Sequence, residues 1–376
     1  MNTVIFSTIG TSSLTNRNKE AGKINELSNL TKNEISNEDS RFLDEKIRIK
    51  KNEVNNIFND NNAIEKLKNF SAELNGILSY YDIKNLGKID NQILNDYQIL
   101  LSTDTYVGKL TSEFIKEILQ QIGFKNIYVE SIDKLNTKNT ENFTEGIKEL
   151  RDVIYNKYVS NDGYANYKKV FNLTGGFKSV NAYLNVLGMF YADEIIYVFE
   201  TKTDLIKIPK LPIKINYEEL KDLYEEFLMI NTKIEPGLSD SKINKIFLFR
   251  IDNKFILNEW GEFIWEEIKD SVMKEKGLPK FDNIIYTDQV RKQFDNLETK
   301  LKGLFVSHIA VLSKFGRISD ELRKSSLNLN KDTDGHSGYK IELRDNLRIF
   351  FNYDENQRIF KILSIKKHIS GRYEDI

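Results

Sequence analysis

Apolar positions recur along this chain with two periods. The runs Thr3-Val4-Ile5-Phe6, 97–104, Lys125-Asn126-Ile127-Tyr128-Val129, Val170-Phe171-Asn172 and 194–199 are short, apolar and rich in β-branched and aromatic residues. Runs of that length, bounded by polar or glycine loops, predict buried strands. Between them the spacing lengthens to that of helices. A polar, Asn-rich helical stretch runs from about 15 to 75, and amphipathic helices are predicted over 111–122, 144–158 and from about 177 to Tyr191. Strands alternating with helices predict an α/β unit with a mostly parallel sheet covered on both faces.

The pattern changes after Pro209 and Pro212. A helical stretch reaches about Ile230, residues 245–256 alternate as a hairpin with Asp252-Asn253 at the turn, and 259–276 is helical again. Helix, wing-like hairpin and helix predict a winged-helix-like linker domain over 211–282, after which Gly277-Leu278-Pro279 breaks the chain. Residues 290–311 are helical. Alternation over 339–351 and 358–365 predicts a β-meander, with turns at Asp345-Asn346 and Asp354-Glu355-Asn356-Gln357. The expected division is 1–210, an α/β domain; 211–282, the linker; and 283–376, a small α+β domain.

Composition narrows the chemistry. The 376 residues carry a net charge of −1, so no overall charge draws the chain to nucleic acid or membrane. Residues 286–376 are nevertheless basic, with 17 Lys/Arg against 13 Asp/Glu. Cysteine is absent, which excludes disulfides and thiolate zinc sites. The three histidines, His308, His336 and His368, fit no ligand spacing, and no metal site is expected. The chain opens without a basic, then apolar, leader, and no apolar run has membrane-spanning length. A soluble, cytoplasmic protein is expected.

The densest signal is Asn172-Leu173-Thr174-Gly175-Gly176-Phe177-Lys178, where a strand meets a helix. Glycines let a backbone approach a ligand closely. Amides at a helix start, with Lys178 beside them, favour an anion. A plain strand-to-helix turn uses the same residues. Two other strand ends, at 8–12 and 102–105, carry Ser, Thr and Gly, and ligands of open α/β sheets bind at such carboxyl ends.

With Ser7-Thr8-Ile9-Gly10-Thr11-Ser12, with the Gly175-Gly176 loop, and with Tyr197-Val198-Phe199-Glu200 followed by Ile208-Pro209-Lys210-Leu211-Pro212, the first 210 residues resemble the CARF family, the Rossmann-like sensors of type III CRISPR defence. The resemblance implies a homodimer that binds a cyclic oligoadenylate across its twofold axis, with cyclic tetra-adenylate as the expected activator. It implies that Lys178, Gly175 and Gly176 hold phosphates. Thr8, Gly10, Thr11, Ser12, Thr103, Asp104, Asn172 and Thr174 would then line the ligand site. Slow cleavage of that ligand, with Asp104 near Lys178, is a further implication.

The last 90 or so residues resemble the RelE superfamily of ribosome-dependent mRNA-cleaving toxins. The matching stretches are Tyr339-Lys340-Ile341-Glu342-Leu343-Arg344, Asn346-Leu347-Arg348-Ile349-Phe350-Phe351, Ile362-Leu363-Ser364-Ile365-Lys366-Lys367-His368 and Arg372-Tyr373. Signal-gated fusions of the two families occur in CRISPR loci. Together the resemblances imply a cyclic-oligoadenylate-activated endoribonuclease that needs no metal or cofactor and cuts mRNA on the ribosome.

In that reading a ribose 2′-hydroxyl attacks the adjacent phosphate, and cations stabilise the charge that develops there. Arg344 and Arg348 supply guanidinium forks, Lys340 orients or activates the 2′-hydroxyl, and His368 protonates the leaving 5′-oxygen. Tyr373 stacks on a base or assists proton transfer. Many relatives carry lysine where this chain has Glu342, which is either a general base or a partner for an arginine. His308 reads as a packed helix residue and His336 as a loop residue. Glu298-Thr299-Lys300 falls in a helical pattern and is set aside as a metal-nuclease signature. The competing reading is a non-enzymatic, ligand-responsive transcription regulator built on 211–280, which the acid-rich helix 259–276 opposes.

Overall fold

A computed structural model of the chain describes residues 1–87, 93–136, 138–199, 204–232, 238–324, 327, 329–331, 338–343, 346–369 and 372–375, with backbone alone at 140, 324, 369, 372 and 375. The chain divides into two compact units, Met1–Lys214 and Ile215–Ile376. The boundary expected at 210/211 falls close to this division, and the one expected at 282/283 lies inside the second unit. Among the described residues no helix is long and apolar enough to cross a membrane.

The first unit is a doubly wound α/β sheet. It begins with β1 (Thr3–Thr8), followed by α1 (Ser12–Thr15), α2 (Ala21–Leu27), α3 (Asn37–Phe58), α4 (Ala63–Phe70) and α5 (Ala72–Tyr80). Then come β2 (Tyr97–Thr103), α6 (Tyr106–Ile122), β3 (Asn126–Ile132), α7 (Thr140–Ile154), β4 (Lys168–Asn172), α8 (Lys178–Tyr191), β5 (Glu194–Val198) and β6 (Leu205–Pro209). The strands lie in the order β3-β2-β1-β4-β5-β6. The first five are parallel and β6 runs antiparallel along β5. Every residue of β1 is buried, as a central strand covered on both faces requires. The edge strand β6 is largely exposed, and five residues with a closing proline carried too little periodicity to predict it.

Helix ends follow local chemistry. Thr105 caps α6 by accepting the Gly108 amide, and Gly123, at φ 119°, closes it in the left-handed region. The helix therefore starts earlier than the expected 111. The helix expected over 144–158 runs from Thr140 to Ile154, and a π turn covers Tyr155–Val159.

The second unit comprises α9 (Tyr224–Ile230), β7 (Leu248–Ile251), β8 (Lys254–Leu257), α10 (Glu259–Lys276), β9 (Ile284–Tyr286), α11 (Asp288–Asn296), α12 (Thr299–Phe315), α13 (Asp320–Lys324), β10 (Leu329–Lys331), β11 (Tyr339–Glu342), β12 (Leu347–Asp354), β13 (Ile359–Ile369) and β14 (Arg372–Asp375). The β7–β8 turn has Asp252 at φ 46° and Asn253 at φ 63°, the left-handed pair that a two-residue hairpin turn demands. The helix expected over 290–311 is two helices, because Leu297 and Glu298 are extended and Leu297 is buried at the corner. The meander is an antiparallel run β10-β11-β12-β13-β14, with β9 parallel beside the start of β13.

The linker and the meander share one core. Tyr224, Phe227 and Trp265 belong to the same buried cluster as Phe305, Ile349, Phe351 and Phe360. Phe227 and Trp265 stack at 5.2 Å with planes 5° apart. Trp265→Ala should therefore cost about 3–5 kcal/mol and lower amide-exchange protection in β12 and β13 as well as in α10. Unchanged protection in β12 and β13 would show two independently stable parts.

Candidate functional site

The carboxyl ends of β1 and β4 lie side by side where the sheet reverses its winding, because β2 flanks β1 on one side and β4 on the other. A crevice opens at such a point in doubly wound sheets. Here a cleft of about 1000 Å³ is lined by Gly10, Thr11 and Ser12 after β1, by Thr174, Gly175, Gly176 and Lys178 after β4, and by α4–α5 and the β5 end.

Close approach explains the glycines. A Cβ on Gly10 would lie 3.1 Å from the Gly176 backbone, and one on Gly175 would lie 2.4 Å from the Glu73 carboxyl. Gly176 has φ 89°, and a Cβ there would meet Thr8 at 2.5 Å. Glu73, 1% exposed, is the piece between the loops. Its carboxylate accepts the Gly10 amide at 2.8 Å, the Ser12 hydroxyl at 2.6 Å and the Ser71 hydroxyl at 2.5 Å. Three donors spread its charge, which is how a buried carboxylate is tolerated.

The expected ligand residues divide into those that face the cleft and those behind it. Lys178 is exposed, and α8 starts at it. Thr174 Oγ1 accepts the Val198 amide at 3.2 Å, which leaves its proton for an acceptor in the cleft. Ser12 gives its proton to Glu73, so toward a ligand it accepts. Gly10 lines the cleft, but its amide is taken by Glu73. Thr11 Oγ1 reaches Asn25 at 3.4 Å. Thr8 lies behind the β4 loop, donating to the Gly175 carbonyl at 2.7 Å and contacting Asn181 Oδ1 at 2.9 Å. Asn172 is buried; it accepts the Thr174 amide at 3.2 Å and donates to Ser7 Oγ at 3.1 Å and the Glu73 carbonyl at 3.2 Å. Both are scaffold for the loop.

Thr103 and Asp104 are absent from the cleft lining. Thr103 pairs with Thr105 at 2.8 Å, and Asp104 accepts the Lys134 amide at 3.0 Å and Asn136 at 3.3 Å. They end β2, on the far side of β1 from β4, so strand order separates them from Lys178. The sequence reading missed Lys68, Asn69, Glu73, Asn75, Phe199 and Asp204, which complete the cleft. Most belong to α4–α5, in a polar helical stretch that carries no motif. Among the described residues neither Lys68 nor Lys178 has an ion-pair partner, nor do the Gly175 and Gly176 amides have an acceptor. Uncommitted amides and Lys178 at the start of α8, with Lys68 reaching the same cleft from the end of α4, suit an anion.

In the second unit, strand register gathers the C-terminal candidates. Lys340 opposes Phe350, Glu342 opposes Arg348, Arg348 opposes Lys366, and His368 opposes Tyr373. Directly opposed residues share a face, so Lys340, Glu342, Arg348, His368 and Tyr373 lie on one side of the sheet. Ile341 and Ile349 fill the core on the other side. Lys340 Nζ donates to the Tyr373 phenol oxygen at 3.1 Å. The His368 and Tyr373 rings are 5.0 Å apart, and Tyr373 meets Phe350 edge-on at 5.1 Å. Arg348 Nε lies 3.2 Å from Glu342 Oε1, and its Nη1 donates to the Leu347 carbonyl at 3.1 Å. Of the two roles open to Glu342, the geometry displays the arginine pairing. Arg344 and Asp345 lie outside the described residues, and so does His336. His308 is packed in α12, where its Nδ1 donates to the Leu304 carbonyl at 2.7 Å and burial pushes its pKa down.

Residues 68–211 match the sequence model of a family described as CRISPR-associated protein (Cas_APE2256). The match runs from α4 to just beyond β6. It takes in Lys68, Glu73, the Gly175-Gly176 loop and Lys178, and stops before the second unit. It supports a role in CRISPR defence. No curated protein matches the chain.

Two glycine substitutions separate close packing from chain flexibility. Gly175→Ala should destabilise the protein by about 1–3 kcal/mol, the usual cost of overpacking. Gly22→Ala, in α2 with open space around it, should be neutral or stabilise by about 0.5–1 kcal/mol. Thermal unfolding measures both, and equal stability of the two variants would contradict the tight loop contact.

Proposed function

We propose that the protein is a ligand-gated endoribonuclease of CRISPR defence. In this reading the cleft of the first unit binds a cyclic oligoadenylate, with cyclic tetra-adenylate as the activator, and the basic sheet face of the second unit cuts mRNA on the ribosome. The observation that carries the proposal is the cleft. It stands at the switch point of the sheet, two lysines and two loop amides in it are uncommitted, and most of its lining lies inside the stretch that matches a CRISPR-associated family. Ligand phosphates are held by Lys178, Lys68 and the Gly175 and Gly176 amides. The hydroxyl acceptor of Ser12 suits a ribose hydroxyl or an adenine amino group, and Phe199, 48% exposed, offers a surface for stacking. A cyclic ligand of even symmetry suits an isologous pair of clefts, so the active form is a homodimer.

On the sheet face, the 2′-oxygen attacks the adjacent phosphorus while the bond to the 5′-oxygen breaks. Arg348 stabilises the charge on the phosphoryl oxygens. The paired Lys340 and Tyr373 hold the 2′-hydroxyl, whose proton passes to solvent water as its oxygen attacks, and His368 gives a proton to the leaving 5′-oxygen. The products are a 2′,3′-cyclic phosphate and a 5′-hydroxyl. This chemistry calls on no metal ion.

The reading makes separable demands. Lys68→Ala and Lys178→Ala should each weaken cyclic tetra-adenylate binding about tenfold or more, the range for a hydrogen bond to a charged group, and raise the ligand concentration needed for cleavage. Arg348→Ala should keep ligand affinity and lower cleavage of mRNA on translating ribosomes about 100- to 1000-fold. Tight ligand binding by the wild-type protein with no cleavage of ribosome-bound mRNA would end the nuclease proposal and leave the sensor.

A further inference from the structure

An ion pair between Glu342 and Arg348 stands within the candidate catalytic face. Glu342 and Arg348 are opposed across β11 and β12, with Nε and Oε1 3.2 Å apart. The partners are unequally buried, the Arg348 side chain being 12% exposed and that of Glu342 36%. A guanidinium withdrawn from water needs a counter-charge, and Glu342 supplies it. Phosphate oxygens engage the same fork that a carboxylate does. An RNA phosphate arriving at Arg348 therefore competes with Glu342 for one partner. Glu342 is the more exposed of the two, so it reaches water when displaced, while Arg348 stays anchored through its bond to the Leu347 carbonyl.

The neighbours on this face fit an exchange of anions. Lys366 lies opposite Arg348 on the next strand, and Lys340 is held to Tyr373. With the carboxylate gone, the face has cations on three adjacent strands. A proton-transfer role fits poorly, because a carboxylate oxygen of Glu342 is already spent on the guanidinium.

We propose that Glu342 is the resident counter-ion of Arg348. It holds the guanidinium in place when no RNA is bound, yields it to the substrate phosphate, and so sets the threshold for RNA binding. It is a positioning residue that acts through Arg348 and is not the general base. The inference rests on reading this face as an RNA site.

The test uses the full chain saturated with cyclic tetra-adenylate. Binding is measured to ribosomes programmed with an mRNA whose A-site riboses are 2′-O-methylated and so cannot be cut. Kinetics are measured on the unmodified mRNA. Glu342→Gln should tighten binding and lower KM about fivefold to tenfold, the equivalent of roughly 1–1.4 kcal/mol, with kcat changed less than about threefold. The same substitution in an Arg348→Ala background should change neither. Tightening that persists without Arg348 would reduce the effect to general charge removal and overturn the proposal. A kcat loss of about 100-fold or more at constant KM would make Glu342 the base, and unchanged binding would leave it no role as a competitor. Should Glu342→Gln melt below the assay temperature, Glu342→Asp, which keeps the charge but draws it back, should tighten binding in the same direction to a smaller extent, and looser binding would count against the exchange. Wild-type protein that binds the programmed ribosomes but never cuts them would refute the nuclease reading, while the binding comparison would still decide the role of Glu342. Absence of wild-type binding would overturn both.

Discussion

The first unit depends on the contact of two backbone loops across a buried carboxylate. The loop after β1 and the loop after β4 touch at Gly10 and Gly176, and Glu73 fills the space beside Gly175. A side chain at any of these glycines would push the loops apart or displace the carboxylate. Glu73 draws together the Gly10 amide, Ser12 and Ser71, and so ties α5 to the first loop. With the carboxylate satisfied by these donors, the amides of Gly175 and Gly176 and the cleft lysines of α4 and α8 are left uncommitted among the described residues. The cleft thus takes one anion into the protein as scaffold and leaves two of its lysines without an ion-pair partner among the described residues.

The second unit uses the same device on a sheet. Pairing across β11 to β14 brings basic and aromatic side chains to one face, and Glu342 balances Arg348, whose side chain is 12% exposed. In both units a carboxylate shares its site with basic side chains. In the first it is locked by three donors; in the second it is half-exposed and held by one arginine. The two carboxylates thus differ in burial, Glu73 being 1% exposed and the Glu342 side chain 36%.

Strong local signals carried most of the fold. The parallel strands β1, β2, β4 and β5 are apolar runs of strand length, and the Asp252-Asn253 turn announced its hairpin because few residue pairs accept two positive φ angles. Short or exposed elements were silent: β6, β9, β10 and β14 have three to five residues each and lie at sheet edges or pair over only a few positions. In the second half, alternation marked the strands over 339–351, the resemblance supplied the candidate residues, and only the register set Glu342 against Arg348. The helix that became α11 and α12 looked continuous because periodicity does not register two extended residues at a buried corner.

The chain by itself determined the local pieces: which runs are strands, which loops tolerate a close approach, and which residue types stand at strand ends. Those follow from side-chain period, glycine freedom and turn chemistry, all of which act between near neighbours. Strand order and helix docking decided the rest. They set Thr103 and Asp104 apart from Lys178, although all three follow a strand end, because β2 and β4 flank opposite sides of β1. They also carried Glu73 and Lys68 from an unremarkable polar stretch into the cleft, and set Glu342 against Arg348, since only pairing between distant segments determines which charges meet and how much water reaches them.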